Sequence, residues 1–190
     1  AVHGDYDVDG IVSTTLLVDF LRRVGRGEVT ASLPNRMRDG YGISVEQVDH
    51  LADRGCTLLV TCDCGSTAHA PLERAASRGL DVVVLDHHRL PAELPPAVAL
   101  VNPQQDLEHA ELSNLCAAGV VFMTIVDTRR RLRNNGYFQE LEEPNLKHYL
   151  DLVALATVAD MVPLLGVNRL LVRTGLVELA RRRRPGIAAL

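Results

Sequence analysis

The segment 85–89, Leu-Asp-His-His-Arg, constrains the possible folds of this chain more than any other stretch. It follows residues 81–85, where three consecutive valines and a leucine, bounded by aspartates, predict a buried strand. Such a strand delivers the residues after it to the carboxyl edge of a sheet, where open α/β proteins bind their ligands. Because successive side chains of an extended segment point to opposite sides, Asp86 and His88 should share one side and His87 the other.

Two further apolar runs end in the same kind of sequence. Residues 57–61 lead into Cys-Asp-Cys-Gly at 62–65, and the first two residues lead into HGDYDVDG at 3–10. If the three runs are parallel strands, their ends meet at one edge of the sheet. This convergence of aspartate and histidine predicts a metal site.

The order of elements predicts the fold class. Strands and helices alternate up to about residue 101, as in βαβ units with a parallel sheet. The predicted strands after the first are 29–33, 57–61, 81–85 and 97–101, and the predicted helices are 10–23, 44–54, 66–78, 112–133, 145–158 and 168–183. Ser44 with Gln47 forms a capping box, and Ser66 and Thr67 are candidate caps. We therefore expect an α/β fold with helices on both faces of the sheet and a helical C-terminal third.

Composition restricts the class of protein. A chain of 190 residues that is 47% hydrophobic fits one domain. The formal net charge of -4 disfavours a generally basic nucleic-acid binder. The cysteines suggest no disulfide framework, and the chain contains no long apolar span or signal peptide. These features predict a cytoplasmic protein that does not enter a membrane.

Asp160 adds one more acidic group, in an almost wholly apolar segment. An isolated buried carboxylate is unfavourable unless it is paired or metal-bound. The full set of candidate ligands is then His3, Asp7, Asp9, Asp63, His87 and Asp160. Six ligands suit two divalent ions about 3.5 to 4 Å apart, the common arrangement for phosphoester hydrolysis. Mixed imidazole and carboxylate ligation favours Mn²⁺ over Mg²⁺ and leaves Zn²⁺ open.

Four motifs in order identify a family resemblance. HGDYDVDG, TCDCGS, LDHHR and ALATVADMVPL resemble motifs I to IV of the DHH phosphoesterase family. The flanking NRMRDGYGIS, VNPQ and DLVALATVADMVPLLGVNRLLVRTGL resemble the bacterial RecJ branch, whose members are single-strand-specific 5′→3′ exonucleases. The resemblance covers essentially the whole chain.

The resemblance implies a role for each motif residue. It places His3, Asp7 and Asp63 on one metal ion, and Asp9, Asp63, His87 and Asp160 on the other, with Asp63 bridging. It also implies that Asp5 supports the site, that Asp86 orients a ligand and that His88 contacts the scissile phosphate. Arg36 and Arg38, on a glycine-containing loop near the expected crevice, are candidate phosphate contacts.

The resemblance also implies a function and a domain organisation. We expect residues 1–190 to be a DHH catalytic domain, a fragment without the downstream DHH-associated and oligonucleotide-binding domains of the RecJ branch. The expected activity is metal-dependent hydrolysis of single-stranded DNA to 5′-mononucleotides in repair and recombination. A single-strand-binding protein and a helicase are the expected protein partners.

Two alternatives remain at this point. The chain could be a DHH phosphoesterase for short oligoribonucleotides, cyclic dinucleotides or pyrophosphate, which the RecJ-like flanks disfavour. It could also be a DHH-derived binding scaffold without catalysis, which the retention of all six candidate ligands disfavours. The arginine runs at 129–131 and 181–184 are interpreted as solvated helix faces. A role in binding DNA is the less favoured interpretation.

Overall fold

A parallel sheet forms the centre of the protein. The computed structural model describes residues 1–25, 27–105, 108 and 110–189. Within them, one sheet has the strand order β2-β1-β3-β4-β5, with every neighbouring pair parallel. The strands are β1 (Val2–Gly4), β2 (Ala31–Ser32), β3 (Leu58–Cys62), β4 (Asp81–Leu85) and β5 (Ala99–Val101).

The helices fill the intervals between the strands and then the rest of the chain. They are α1 (Val8–Val24), α2 (Val45–Asp53), α3 (His69–Ser77), α4 (Ala117–Asn134), α5 (Leu150–Ala159), α6 (Gly166–Leu179) and α7 (Pro185–Ala189). The predicted α/β class, with a helical C-terminal third, is confirmed. None of the described helices is long and apolar enough to cross a membrane.

Alternation along the strands divides the core into two layers. Leu59, Val82 and Val84 pack against α2 and α3 on one face. Cys62 and Leu85 join the larger cluster formed with α1, α4 and α5 on the other face. This side-chain period of two buries both faces of the central strands and confirms the prediction of helices on both sides.

The strand order creates a crevice at one end of the sheet. The chain passes from β1 to β2 on one side, and then returns to place β3 on the other side of β1. Such an order has a topological switch point between β1 and β3, where helices on opposite faces leave an opening beyond the strand ends. Because the strands are parallel, the segments after β1, β3 and β4 all lie at this crevice.

Two predicted helix starts were wrong, and both differences arise from contacts with the crevice. The helix predicted from residue 112 begins at Ala117, because the carboxylate of Asp9 accepts hydrogen bonds from the backbone N–H groups of Ala117 and Ala118. Residues 110–114 form a separate 3₁₀ turn. The helix predicted from Ser66 begins at His69, and the Ser66 N–H donates instead to Asp86.

The C-terminal helices also differ in their limits. The helix predicted at 145–158 is a 3₁₀ turn, Leu146–Tyr149, followed by α5. The helix predicted to reach residue 183 ends at Leu179, and the chain then turns so that Arg184 pairs with the buried Asp151 at 2.8 Å. Arg184 is therefore part of the packing between α5 and the end of the chain, which corrects its interpretation as a solvated residue.

Candidate metal centre

Asp9 lies where two helix amino ends meet. It occupies the first turn of α1, and its two carboxylate oxygens accept the N–H groups of Ala117 and Ala118 at 2.6 and 2.9 Å. The partial positive charge at both helix ends stabilises its ionised form. Gly10 allows the first turn of α1 to approach the Asp5 backbone closely, since a Cβ there would lie 2.5 Å from the Asp5 backbone nitrogen.

Asp63 follows β3 in an unusual backbone conformation. Its φ angle is 62°, in the left-handed region that residues other than glycine, asparagine and aspartate seldom adopt. The Asp63 N–H donates to the carbonyl of Leu85 at 3.0 Å, which fixes the loop to the end of β4. The side chain is buried and directed at the loop after β4.

Asp86 organises the loop that carries the two histidines. One carboxylate oxygen accepts the backbone N–H groups of His87 and His88, and the other accepts the N–H of Ser66. The Nδ1 atom of His88 lies 2.8 Å from the same carboxylate. Burial opposes ionisation, but the bonds from His88 and Ser66 outweigh it and hold the pKa of Asp86 well below its usual value. Asp86 and His88 thus share one side, as predicted.

His87 was predicted to point to the opposite side, but its ring lies beside that of His88, with 4.6 Å between the centroids, because both rings turn toward Asp63. His87 also contacts three carboxylates. Its Nε2 atom lies 3.3 Å from Asp63, 3.8 Å from Asp9 and 3.9 Å from Asp160. Two groups of potential ligand atoms result, one from Asp63, His87 and His88 and one from Asp9, His87 and Asp160. His87 belongs to both groups, so its position affects each of them.

The charges of this centre are not balanced by cationic side chains. Burial raises the pKa of Asp63 to about 8, and the nearby Asp9 and Asp7 add to the effect. Burial also raises the pKa of Asp9 and of Asp160. Among the described residues, only histidines form ion pairs with Asp9, Asp63 or Asp160.

Asp160 gives the most direct indication of a cation-binding site. It lies at the carboxyl end of α5, where the helix dipole disfavours a negative charge. Its Oδ2 atom is buried without a hydrogen-bond partner. Buried carboxylates with unused oxygens, beside an imidazole, are the donor set of a divalent metal ion. The residues therefore fit a metal site.

The remaining candidates of the first motif lie around this centre. The carboxylate of Asp7 caps α1 by accepting the Gly10 N–H, and its charge raises the pKa of Asp63 and Asp160. Asp5 accepts the Tyr6 N–H at 2.6 Å. Neither belongs to the two ligand groups, so their predicted roles as ligand and support remain predictions.

His3 is buried in β1, and both nitrogens of its ring are engaged. Nε2 lies 3.1 Å from the Gly42 carbonyl, so it carries the proton, and Nδ1 lies 3.0 Å from the Ser32 hydroxyl. Burial lowers the pKa of His3 and keeps the ring neutral. Binding an ion through either nitrogen requires the ring to give up one of these bonds, and its role as a ligand stays a prediction.

The two candidate phosphate contacts have different surroundings. The Arg36 guanidinium lies over the Tyr6 ring, 5.0 Å from its centroid. Because Tyr6 belongs to the first motif, this contact places Arg36 beside that motif. Arg38 borders a separate cavity with Asp39 and Gln47. On the same loop the Met37 and Tyr41 side chains are 90% and 80% exposed. Sequence reasoning did not single out Tyr41, although an aromatic residue between two glycines was the available signal.

Three further polar residues beside the centre were also missed. Ser66, Asn102 and Gln104 bond to the loop that carries the histidines. The sequence VNPQ contained the signal, because an asparagine before proline at a strand end commonly forms a turn through its own side chain. Only the folded chain reveals which carbonyls they reach.

The fold and the centre define a class of α/β domain with a candidate divalent-metal site at the switch point of a parallel sheet, and the sequence comparison gives the family. The profile of the DHH family, N-terminal domain, matches residues 1–157. This chain belongs to the DHH family. Within the family it is similar to proteins named single-stranded-DNA-specific exonuclease RecJ. It is 48% identical to that of Dickeya dadantii, with 98% of this chain and 33% of the relative covered. It is 44% identical to that of Escherichia coli, with 100% and 33% covered.

Solved structures show the same likeness. The chain matches exonuclease RecJ bound to manganese with a TM-score of 0.82 and 36% identity, covering 95% of this chain and 43% of that one. It matches RecJ of Thermus thermophilus in complex with Mn²⁺ with a TM-score of 0.81 and 33% identity, covering 100% and 26%. The chain therefore spans about a third of the length of the curated relatives it matches.

Proposed function

We propose that this chain is the catalytic domain of a metal-dependent exonuclease that hydrolyses single-stranded DNA from the 5′ end to 5′-mononucleotides. The observation that carries the proposal is the pair of ligand groups that share His87 at the switch point of the sheet. Buried carboxylates without cationic partners are costly to maintain in a fold unless an ion is bound there. The similarity to proteins named RecJ supports the choice of substrate.

We assign the ligands as the motif resemblance implies. Asp9, Asp63, His87 and Asp160 hold one ion, and His3, Asp7 and Asp63 hold the other, with Asp63 shared. We propose Mn²⁺ as the ion, with Mg²⁺ as an alternative that relatives also bind in solved structures. Two bound ions supply an activated water and neutralise charge on the oxygens of the phosphodiester.

His88 supplies the protein's own positive charge to the reaction. Its side chain is 57% exposed at the crevice, and the bond to Asp86 raises its pKa to about 9, so the ring is protonated at neutral pH. Asp86 holds Nδ1, which leaves Nε2 free to donate to a non-bridging phosphate oxygen. We propose that His88 contacts the scissile phosphate and that Asp86 orients it, while Asp5 supports the loop of the first motif.

Arg36 and Tyr41 suit the strand that leaves the reaction centre. Arg36 is exposed, and Tyr6 holds its guanidinium close to the first motif. An exposed aromatic ring on the same loop offers a stacking surface, and stacking contributes roughly 1 to 3 kcal/mol per base. We propose phosphate contacts for Arg36 and Arg38, with Arg38 further from the centre.

We place the chain within a longer cytoplasmic protein. In it, DHH-associated and oligonucleotide-binding domains outside residues 1–190 would hold the strand, and a single-strand-binding protein and a helicase would be partners in repair. Phosphate contacts make binding salt-dependent, with a slope of about -0.7 for each phosphate neutralised on a single strand. A protein with these domains should therefore show a steeper salt dependence than this chain.

The test is hydrolysis by this chain of a single-stranded oligonucleotide labelled at its 5′ end, with Mn²⁺ supplied. A duplex, the same strand labelled at its 3′ end, a dinucleotide and pyrophosphate serve as comparison substrates. We expect early release of labelled mononucleotide only from the 5′-labelled single strand. Preference for the dinucleotide or for pyrophosphate would identify a phosphoesterase of short substrates instead. No hydrolysis and no Mn²⁺ binding would support a binding scaffold.

A further inference from the structure

The loop that carries His87 and His88 has no regular secondary structure, yet all four of its backbone polar groups are bonded. Asp86 accepts both N–H groups, at 2.7 and 3.2 Å. Gln104 Nε2 lies 3.3 Å from the His87 carbonyl, and Asn102 Nδ2 lies 2.9 Å from the His88 carbonyl. A backbone segment whose donors and acceptors are all satisfied has little freedom to move.

The two amides are themselves fixed. Asn102 is 4% exposed and also donates to the Ser66 hydroxyl at 3.1 Å. Its Oδ1 atom accepts the Gln104 N–H at 2.9 Å, which closes the turn and sets the direction of the Gln104 side chain. The same Gln104 amide reaches the Ser113 carbonyl at 3.0 Å. Gln104 therefore joins the histidine loop to the 3₁₀ turn at residues 110–114.

A third amide continues the connection to the other side of the centre. Asn168, in the first turn of α6, donates to the Asn114 carbonyl at 2.7 Å and to the Pro163 carbonyl at 3.0 Å. Asn168 is 2% exposed. Pro163 lies three residues after Asp160, in the turn that follows α5. Two pairs of hydrogen bonds, joined by the covalent bond between residues 113 and 114, thus connect the His87 carbonyl to the segment that carries Asp160.

We propose that Asn102, Gln104 and Asn168, together named the amide bridge, are positioning residues that set the separation of His87 from Asp160. These two side chains face each other across the centre, with Nε2 and Oδ2 3.9 Å apart. They come from elements far apart in the sequence, and the amide bridge connects their backbones through the 3₁₀ turn at residues 110–114. The inference rests on the proposed function, because it matters only if both residues hold an ion.

The chain contains a matched control for the central residue. Gln105, next in sequence, also donates its amide to a backbone carbonyl, that of Leu100 at 2.8 Å, but it is exposed and bonds to the edge strand β5. Gln104→Met and Gln105→Met each remove one amide at nearly constant volume. Only the first breaks the connection to His87.

The experiment measures Mn²⁺ binding by calorimetry on the wild-type chain and on both variants, with Tm of the metal-free proteins measured in parallel. Removing the partner behind a metal ligand typically weakens metal affinity 10- to 100-fold. We expect Gln104→Met to weaken Mn²⁺ binding about tenfold, with a metal-free Tm close to that of Gln105→Met. Gln105→Met should bind Mn²⁺ as the wild type does.

Asn168→Asp extends the test to the other end of the amide bridge. It keeps the shape of the side chain but removes the donor, and we expect weaker Mn²⁺ binding here as well. Equal Mn²⁺ affinity in Gln104→Met and Gln105→Met would overturn the inference. A second result would also overturn it, namely that both bridge variants lose Mn²⁺ affinity and also have a metal-free Tm well below that of the wild type. The amides would then only stabilise the fold. Failure of the wild-type chain to bind Mn²⁺ would instead refute the proposed function.

Discussion

Two clusters of aspartates in this protein have opposite electrostatic surroundings. In the surface cluster, Asp49 and Asp53 of α2 form ion pairs with Arg74 of α3 and with Arg78, which directly follows α3. The nitrogen–oxygen distances are 2.5 to 2.9 Å. Bonds from Arg74 and Arg78 lower the pKa of Asp49. In the crevice cluster of Asp9, Asp63 and Asp160, burial raises all three pKa values, and their ion-pair partners among the described residues are histidines.

The difference shows what each cluster requires. In the surface cluster, arginines neutralise the aspartates and join two helices, so no bound ion is required. The crevice cluster keeps its carboxylates close together in spite of their repulsion, and the buried Oδ2 atom of Asp160 has no hydrogen-bond partner. Such an arrangement costs folding energy that a bound cation would recover. Four changes of sequence or pH test this contrast, from the largest expected effect to the smallest.

Asp63→Asn should have the largest effect on activity. Asparagine tolerates the left-handed conformation at this position, so the fold should persist. The change removes a negative charge that is proposed to be shared by both ions. Replacing a residue that only orients a metal ligand costs up to about 100-fold, so the loss of this ligand should lower activity by more than that. Steady-state hydrolysis of single-stranded DNA with Mn²⁺ measures the effect. A near wild-type rate with normal metal content would exclude the shared role.

His88→Gln should lower turnover without loss of metal. The side chain is half-exposed and proposed to donate to the phosphate, so its removal should leave Mn²⁺ affinity unchanged. Groups directed at developing charge typically contribute about 10²- to 10³-fold to turnover, and we expect a loss of about 100-fold. Measuring the rate and Mn²⁺ binding on one preparation separates the two roles. Parallel loss of metal would show that His88 is a ligand.

The metal-free protein should lose stability as pH rises from about 5 to about 8. The folded-state pKa of Asp63, about 8, lies above the 3.8 of a free carboxyl, so its neutral form favours folding and that contribution disappears as the proton leaves. His87 also has a raised pKa and acts in the same direction. Tm measured across this range in a chelator should fall, and Mn²⁺ should reverse the trend.

Asp63→Asn provides the control for this pH dependence. The variant lacks the titrating carboxyl, so its metal-free Tm should vary less with pH than that of the wild type. A wild-type Tm that does not change between these pH values would show that the crevice carboxylates are already compensated. The contrast between the two clusters would then fail.

Asp49→Asn should have the smallest effect. It breaks ion pairs on the surface, where water and salt already screen the charges. We expect unchanged activity and Mn²⁺ affinity, with a slight decrease in Tm that added salt reduces. A large loss of activity would mean that the surface cluster also supports the crevice.

The sequence alone determined the architecture and the location of the centre. Short apolar runs bounded by polar residues predicted the main strands, and their alternation with helical segments predicted a parallel sheet. Because parallel strands end at a common edge, the aspartates and histidines after them had to lie near one another. The convergence of Asp63, His87 and Asp160 follows from this local information together with the four motifs.

Only the tertiary structure decided which backbone groups the polar side chains satisfy. Asp9 accepts hydrogen bonds from residues more than 100 positions away, and α4 therefore begins later than predicted. The Ser66 N–H donates to Asp86, and Ser66 does not cap α3. Asn102 and Gln104 reach carbonyls that no sequence spacing connects to them. Local propensity describes how a segment behaves by itself, whereas each of these bonds depends on which backbone donor or acceptor another segment leaves unsatisfied after packing.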